Sequence, residues 1–489
     1  MWRYTGLADL VNLIKACLTS SIVLVLLILF LFQFQGFSRS VCIIDFFLSI
    51  IFLSGSRLGV RIFLSDATPS FSFWTFLPYK KTDAKKILII GAGDTGEKVL
   101  REIINSPRIN MIPVGFLDDD QSKRGKTIHG VSVLGDISQL DEIAVFFEEV
   151  IIAVPSASGS QMRQIVKNCE KAGKPCKTMP PLAEIINGKV SLKMVREVTI
   201  SDLLGREEVR LDDEEIKKYL FNKRILVTGA GGSIGSELVR QICRFNPRSI
   251  ALLDFSEFNL YQVEMDCRIK FGYITVISYL ADIRNVSTTG RIFHEYSPEV
   301  IFHAAAYKHV PMQEMNPWEA VCNNLIGTKN IVKNAIDIKA DHFIMVSSDK
   351  AVRPVNIMGA TKRVCELMTS GRNENVKTKF MSVRFGNVID SSGSVVPLFQ
   401  KQVASGGPVT VTHPEIKRYF MSIPEAAQLI LQAGAMGEGG EIYILEMGDP
   451  IRIADLAHEI IKLNGLEPGK DIEIVFIGLR PGEKLYEEL

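Results

Sequence analysis

The sequence predicts an α/β protein in which N-terminal transmembrane helices are followed by two doubly wound parallel-sheet domains. Three observations carry that prediction. An almost unbroken apolar run covers residues 13–34, with Lys15 near its start. Two glycine-rich turns, at residues 91–96 and 229–235, each leave a short apolar strand and enter a helical pattern. Beyond the second turn, Ser347-Ser348-Asp349-Lys350-Ala351 emerges directly from the apolar strand Phe343-Ile344-Met345-Val346. Open α/β sheets bind ligands at that carboxyl edge.

The run 13–34 is long enough to cross a hydrocarbon core of about 30 Å. It is too long, too far from the start and too poor in small-x-small sites for a cleavable signal peptide. A second segment, 41–63, is interrupted by Asp45, Arg57 and Arg61, which leaves 41–53 as its apolar part. It spans, or it lies in the interface. Arg57, Arg61, Lys80, Lys81, Lys85 and Lys86 follow it, against only Arg39 in the loop between the segments. The positive-inside rule then puts the large C-terminal part in the cytoplasm, with the lipid bilayer as a partner. With 56 Lys+Arg against 55 Asp+Glu, nothing in bulk charge points to nucleic acid. The eight cysteines form no C-x-x-C pair and the seven histidines are dispersed. That usage fits a reducing compartment and argues against a disulfide framework or a metal site.

The domain reading follows the punctuation. Residues 1–63 form the membrane segment with two apolar helices, 64–85 a linker, 86–200 a first Rossmann-like nucleotide-binding domain, 201–221 a charged connecting segment, and 222–489 the second Rossmann-like domain. The first fingerprint is Gly91-Ala92-Gly93-Asp94-Thr95-Gly96, and the strand into Asp118-Asp119-Asp120 places an acid where a ribose would lie. No catalytic cluster follows the strand 150–154. This domain reads as a ligand-sensing or packing unit, or as a nucleotide site without chemistry.

In the second domain the fingerprint Thr228-Gly229-Ala230-Gly231-Gly232-Ser233-Ile234-Gly235 lets a pyrophosphate meet backbone N–H groups at a helix start. Nineteen residues past Gly235, Asp254 ends the next strand. A carboxylate there accepts from ribose hydroxyls and repels a 2′-phosphate, favouring NAD over NADP. Asp282-Ile283 suits the adenine edge, with a helix N-cap as the other reading of Asp282. Ala304 and Ala305 let a cofactor lie against the backbone, whereas His303, in an apolar strand, reads as a satisfied core histidine. Ser348, Asp349 and Lys350 put a hydroxyl, an acid and a base side by side, able to move two different protons on one substrate. A Ser/Asp helix cap is the bland reading of that trio. Lys362 follows Lys350 by twelve residues, four after Met358.

These motifs, with His303-Ala304-Ala305-Ala306-Tyr307-Lys308, Arg384-Phe385-Gly386-Asn387-Val388 and Arg480-Pro481-Gly482-Glu483-Lys484-Leu485-Tyr486, occur in an order that resembles the extended short-chain dehydrogenase/reductases. Within them the likeness is to the membrane-bound nucleotide-sugar 4,6-dehydratases of capsule and surface-polysaccharide synthesis, and it covers nearly the whole chain. The resemblance implies a multi-pass inner-membrane enzyme, expected as a homo-oligomer, that uses NAD to convert a UDP-N-acetylhexosamine, foremost UDP-N-acetylglucosamine, into its 4-keto-6-deoxy product. It further implies Lys350 as base at C5, Asp349 as acid at the C6 hydroxyl, Ser348 on the C4 oxygen and Lys362 on the nicotinamide ribose. Substrate contacts fall to Lys308, Asn387, Ser394, Arg418, Arg480 and Glu483, with a surface salt bridge as the other reading of Arg418 and Arg480. Met358 stands where the wider superfamily has its catalytic tyrosine, as it does in the membrane-bound branch. A thioether cannot take the C4 proton. Family members usually carry four membrane helices and a tail beyond the last motif, so the chain resembles a version shortened at both ends. A nucleotide-sugar 4-epimerase and a catalytically silent scaffold are the competing functions.

Overall fold

The computed structural model describes residues 7–33, 39–64, 84–106, 109–180, 192–204, 211–371 and 376–489. Most of the expected linker 64–85, including Lys80 and Lys81, lies outside the described residues, as does Arg206. The chain divides into two compact units, Met1–Val198 and Thr199–Leu489.

The first unit begins with helices α1 (Leu7–Phe32) and α2 (Arg39–Leu64). Among the described residues, only α1 is long and apolar enough to cross a membrane, over Ile14–Leu31. Its large side chains, Leu26 and Phe30 among them, are bare. The apolar part of α2 is confined to Ser40–Leu53, so two full spans are not what length and composition support. The α/β part contains β1 (Lys85–Ile90), α3 (Asp94–Asn105), β2 (Met111–Leu117), β3 (Thr127–Ile128), β4 (Val131–Gly135), β5 (Glu149–Ile152), α4 (Gly159–Lys171), β6 (Cys176–Thr178) and β7 (Arg196–Glu197). Its sheet runs β3-β4-β2-β1-β5-β6-β7, parallel except at the two edge pairs. Ile87 to Ile90 are wholly buried, as expected of a strand covered on both faces.

The second unit opens with α5 (Ile200–Leu204) and α6 (Asp213–Leu220). Helix α6 lies within the segment that the sequence reading set aside as a connection, yet Ile216, Tyr219 and Leu220 join the core and Tyr219 donates to the Leu431 carbonyl at 2.8 Å. The sheet strands are β8 (Arg224–Thr228), β9 (Ser249–Asp254), β10 (Thr275–Leu280), β11 (Val300–His303), β12 (His342–Val346) and β13 (Lys379–Arg384). Between them stand α7 (Ser233–Cys243), α8 (Glu257–Lys270), α9 (Val286–Tyr296), α10 (Val310–Met315), α11 (Pro317–Ala320), a π-helical turn Val321–Gly327, α12 (Thr328–Asp337) and α13 (Ile357–Ser370). The remainder comprises β14 (Asn387–Val388), α14 (Val395–Ala404), β15 (Val409–Val411), β16 (Lys417–Arg418), β17 (Phe420–Met421), α15 (Ile423–Met436), β18 (Ile442–Ile444), β19 (Ile451–Arg452), α16 (Ile453–Leu463) and β20 (Ile474–Phe476).

The main sheet is ordered β10-β9-β8-β11-β12-β13-β18 and every pair in it is parallel. Ile225 and Val227 feed one hydrophobic cluster while Leu226 feeds the other, so alternate β8 residues bury opposite faces. Strand order reverses between β8 and β11. That switch point opens a crevice at the carboxyl edge, where the glycine turn and the Ser-Asp-Lys segment both emerge.

Candidate active site

The glycine turn after β8 has room for backbone only. Gly229 has φ +67°, and a Cβ there would lie 2.6 Å from the Ala305 nitrogen. A Cβ on Gly235 would collide with the Gly229 carbonyl, which lets α7 start tight against the strand. The Gly231 N–H donates to Asp254 Oδ2 at 2.8 Å, and the Ser256 N–H to Oδ1 at 2.9 Å. Asp254 therefore shapes the turn. Gly232 caps α7, and Ser233 Oγ accepts from the Ser392 N–H at 3.1 Å, tying the turn to the loop before α14. Ile234 is half-buried beside it, and Ile283 is buried against Gly327.

Two expected cofactor residues have side chains bonded within the fold. The Thr228 hydroxyl is fully buried on His303 Nδ1 at 2.7 Å, so it faces the core. His303 Nε2 meets Thr328 Oγ1 at 2.8 Å, and burial, with Lys362 adding to it, pushes its ring down to about 3. It is the satisfied core histidine that its apolar strand implied. The Asp282 carboxylate is held by Arg284 through Nε at 2.8 Å and Nη2 at 2.6 Å, which keeps it below the usual carboxylate range. Asp282 is not the N-cap of α9, because Asn285 fills that place.

The polar trio forms one cluster. Ser348 Oγ donates to Asp349 Oδ1 at 2.8 Å, and Lys350 Nζ donates to the same oxygen at 3.0 Å. Lys350 also reaches Asn387 Oδ1 at 3.3 Å. Asp349 is fully buried, and its Oδ2 accepts no hydrogen bond among the described residues. Ser348 does cap the short turn Asp349–Ala351, its Oγ accepting from the Lys350 N–H, as the bland reading has it. Helix α13 packs on this turn because Gly359 has no side chain: a Cβ there would strike the Lys350 carbonyl. Met358, one residue earlier, is buried beside the cluster's backbone. Lys362 is buried and donates to the Val346 carbonyl at 2.8 Å, with burial pulling its ammonium down.

Behind the trio, Ser347 Oγ donates to Glu366 at 2.6 Å, and Arg384 grips the same carboxylate at 2.7 and 2.6 Å. Burial alone would raise Glu366, but the bonds from Arg384, Ser347 and Arg363 hold it below the usual range. In the π-helical turn Asn324 brackets Tyr307, accepting from its N–H at 2.8 Å and donating to its carbonyl at 3.0 Å. Such turns often mark functional positions. Sequence reasoning missed both groups.

Of the expected substrate residues, Arg480 is half-exposed, Lys308 exposed, and Ser394 begins α14. Arg418 is different: it is buried, not a surface ion pair. It donates to the carbonyls of Lys417 (2.8 Å), Lys484 (2.6 Å) and Leu485 (3.2 Å), with Glu483 3.7 Å away. Its guanidinium clamps the segment 480–489 onto the site. That segment brings in Glu487, a residue the sequence reading did not select, whose carboxylate lies 3.8 Å from Lys350 Nζ.

A dinucleotide cradle at the switch point of a parallel sheet, with an Asp-Lys pair at its mouth, defines an extended short-chain dehydrogenase/reductase. Comparison with known proteins agrees. A family model described as polysaccharide biosynthesis protein matches residues 225–489, and one described as CoA-binding domain matches 1–179. The chain is 42% identical over 493 residues to the capsular polysaccharide biosynthesis protein CapD of Staphylococcus aureus, covering 100% of this chain and 80% of that one. It is 40% identical over 495 residues to the probable polysaccharide biosynthesis protein EpsC of Bacillus subtilis, with the same coverage. Among solved structures, Pen from Bacillus thuringiensis superposes with a TM-score of 0.52 at 34% identity, over 55% of this chain and 84% of that one. The chain belongs to the polysaccharide biosynthesis protein family.

Proposed function

We propose that this protein is an NAD-dependent, membrane-attached 4,6-dehydratase of a UDP-N-acetylhexosamine, with UDP-N-acetylglucosamine the foremost substrate, serving surface-polysaccharide synthesis. The observation that carries this reading is the shared carboxylate oxygen: Asp349 Oδ1 accepts from both Ser348 and Lys350. An epimerase needs one proton moved at C4. A dehydratase needs a second acid–base pair at C5 and C6, and the cluster supplies one.

The proton count supports it. Dehydration releases water and no net proton, so the proton leaving the C4 hydroxyl has to end on the departing C6 oxygen. Ser348 takes it and passes its own to Asp349, 2.8 Å away. Asp349 then delivers it to C6. Lys350, as a neutral amine, removes the C5 proton, and its ammonium, exchanged with solvent, returns a proton to C5 at the end of the cycle. Met358 takes no part, and with this relay no phenol is required. The glycine turn, which a Cβ at Gly229 would fill, and Asp254 fit a dinucleotide. Bound NAD would supply the hydride acceptor and donor. Lys362 would steady its ribose, while Arg480 and Lys308 face the diphosphate and Asn387, Ser394 and Glu483 line the sugar side. Arg480 suits a phosphate because its planar fork binds two oxygens at once. Helix α1 would anchor the enzyme in the bilayer.

Incubating the detergent-solubilised full chain with UDP-N-acetylglucosamine in deuterated water tests the reading. The product is expected to be one water lighter, with deuterium at C5. An unchanged mass with inverted C4 would replace the dehydratase with a 4-epimerase, and tight binding without turnover would leave a silent scaffold.

A further inference from the structure

The segment that Arg418 clamps carries more than a phosphate ligand. Glu487 is buried, 7% exposed as a residue, in a stretch whose neighbour Glu488 stays at the surface paired with Arg353. Its Oε1 lies 3.8 Å from Lys350 Nζ and 3.9 Å from Arg418 Nη2. Its Oε2 is buried and accepts no hydrogen bond among the described residues, a property it shares with Asp349 Oδ2. Burying a carboxylate without full hydrogen bonding is costly. A structural clamp would have been satisfied by the backbone bonds of Arg418 alone.

Resting on the dehydratase reading, we propose that Glu487 is a positioning residue of the catalytic cluster: its charge sets the pH range over which Asp349 and Lys350 together hold the single proton that they use. Once the cluster has received the C4 proton through Ser348, its two arrangements, ionised Asp349 with an ammonium or protonated Asp349 with a neutral amine, contain the same number of protons. Only the second can donate at C6 and accept at C5. The electrostatic surroundings of the pair therefore set the pH range in which it is populated. The charged groups facing Glu487 are Lys350 and Asp349 from the turn after β12, Arg418 from β16 and Lys484 from its own segment. Lys484 is turned away to the Val352 carbonyl at 3.0 Å. Burial raises Glu487 above the ordinary glutamate range, and Asp349 adds to the rise, against Lys350, Arg418 and Lys484. In its ionised form, its negative charge opposes loss of a proton from either member of the pair.

The sign of a substitution follows. Removing a negative charge makes both the Asp349 acid and the Lys350 ammonium give up protons more readily. Glu487→Gln should therefore move both limbs of the bell-shaped kcat profile to lower pH, by about one unit, the usual effect of a charge within about 4–6 Å. Glu487→Asp, which retracts the carboxylate by one methylene, should move both limbs the same way by a smaller step. Product formation from UDP-N-acetylglucosamine by the full chain, followed from pH 5.5 to 9.5 (a range of about two units either side of neutrality), reads both variants. A lower rate with unmoved limbs in the Gln variant would reduce Glu487 to a strap contact and overturn the proposal. Should the Gln variant not fold, unmoved limbs in the Asp variant would overturn it equally. A wild-type chain that forms no dehydrated product would fail the dehydratase reading itself, which is a different result.

Discussion

The two Rossmann-like units share a cradle and differ in what stands at its rim. In each, the first glycine of the turn has positive φ, +100° at Gly91 and +67° at Gly229. In each, a Cβ on the last glycine, Gly96 or Gly235, would strike the carbonyl of the first. In each, an acid at the end of the next strand accepts from the turn: Asp118 from the Ala92 N–H at 2.7 Å, Asp254 from the Gly231 N–H at 2.8 Å. Past that point they part. The second strand past the switch point of the first unit, β6, runs on into Met179 and Pro180, whereas its counterpart β12 in the second runs into Ser347, Ser348, Asp349 and Lys350. In the first unit Lys123 also pairs with Asp118 at 2.8 Å. A nucleotide-shaped cradle is thus a backbone property, and chemistry is added by a few side chains at a strand's carboxyl edge.

That division can be broken by substitution. The largest expected effect is Lys350→Ala, which should cut turnover by about 10³-fold and abolish deuterium entry at C5, as loss of a positioned base does. Asp118→Asn in the first unit should leave the rate within about twofold, the change expected away from the chemistry. Product mass spectrometry checks both. Next comes Ser348→Ala, expected to cost about 10²-fold in kcat with KM little changed, because it removes one proton-relay hydroxyl and no binding group. Met358→Phe should cost far less; a larger loss would shift the C4 proton away from Ser348. Third, Gly229→Ala should weaken NAD binding by roughly thirtyfold, equivalent to about 2 kcal/mol of strain and lost approach. Gly91→Ala meets a comparable clash, 2.6 Å from Val154 Cγ2, yet should lower only the melting temperature. Calorimetric NAD titration of both variants decides whether the two cradles are functionally distinct.

How much of this was legible follows from what each feature depends on. The sheets were readable because their central strands are continuous buried runs between glycine turns, and the trio was readable because its three residues are adjacent. Helix α6 was hidden by its charges, although Ile216, Tyr219 and Leu220 carry the spacing of one buried face. The apolar part of the second membrane segment was legible almost to the residue, 41–53 against Ser40–Leu53 in a helix of 26 residues. Glu487 was passed over, and a surface salt bridge stood as the other reading of Arg418, for one reason. An Arg or Glu in a polar stretch reads as solvent-facing, and only the fold of 480–489 over the site shows which members of a Glu-Glu pair go in and which stay out.

The smallest expected effect lies in the innermost pair of the central strands. In the first unit Ile90 stands opposite Ile152; in the second the equivalent pair is Thr228 opposite His303. His303 is neutral and bound between two threonine hydroxyls, its ring held down to about 3 by burial. In the unfolded chain the ring titrates at its ordinary value, about 6.5. Above that pH neither state binds the proton, and the pair contributes its full stability. Below it the unfolded chain takes up a proton that the folded one refuses. Stability then falls by about 1.4 kcal/mol per pH unit until the folded ring also titrates. His303→Ile copies the first unit and leaves the Thr228 and Thr328 hydroxyls unpaired, at a cost of about 2 kcal/mol. That cost should be constant above about pH 6.5 and shrink towards zero near about pH 5, as the wild-type loses what the variant never had. Urea unfolding of both full chains at several pH values measures it. A difference that stays constant down to about pH 5 would mean His303 is protonated inside the core, and the apolar and polar versions of this strand pair would then be interchangeable with respect to acid.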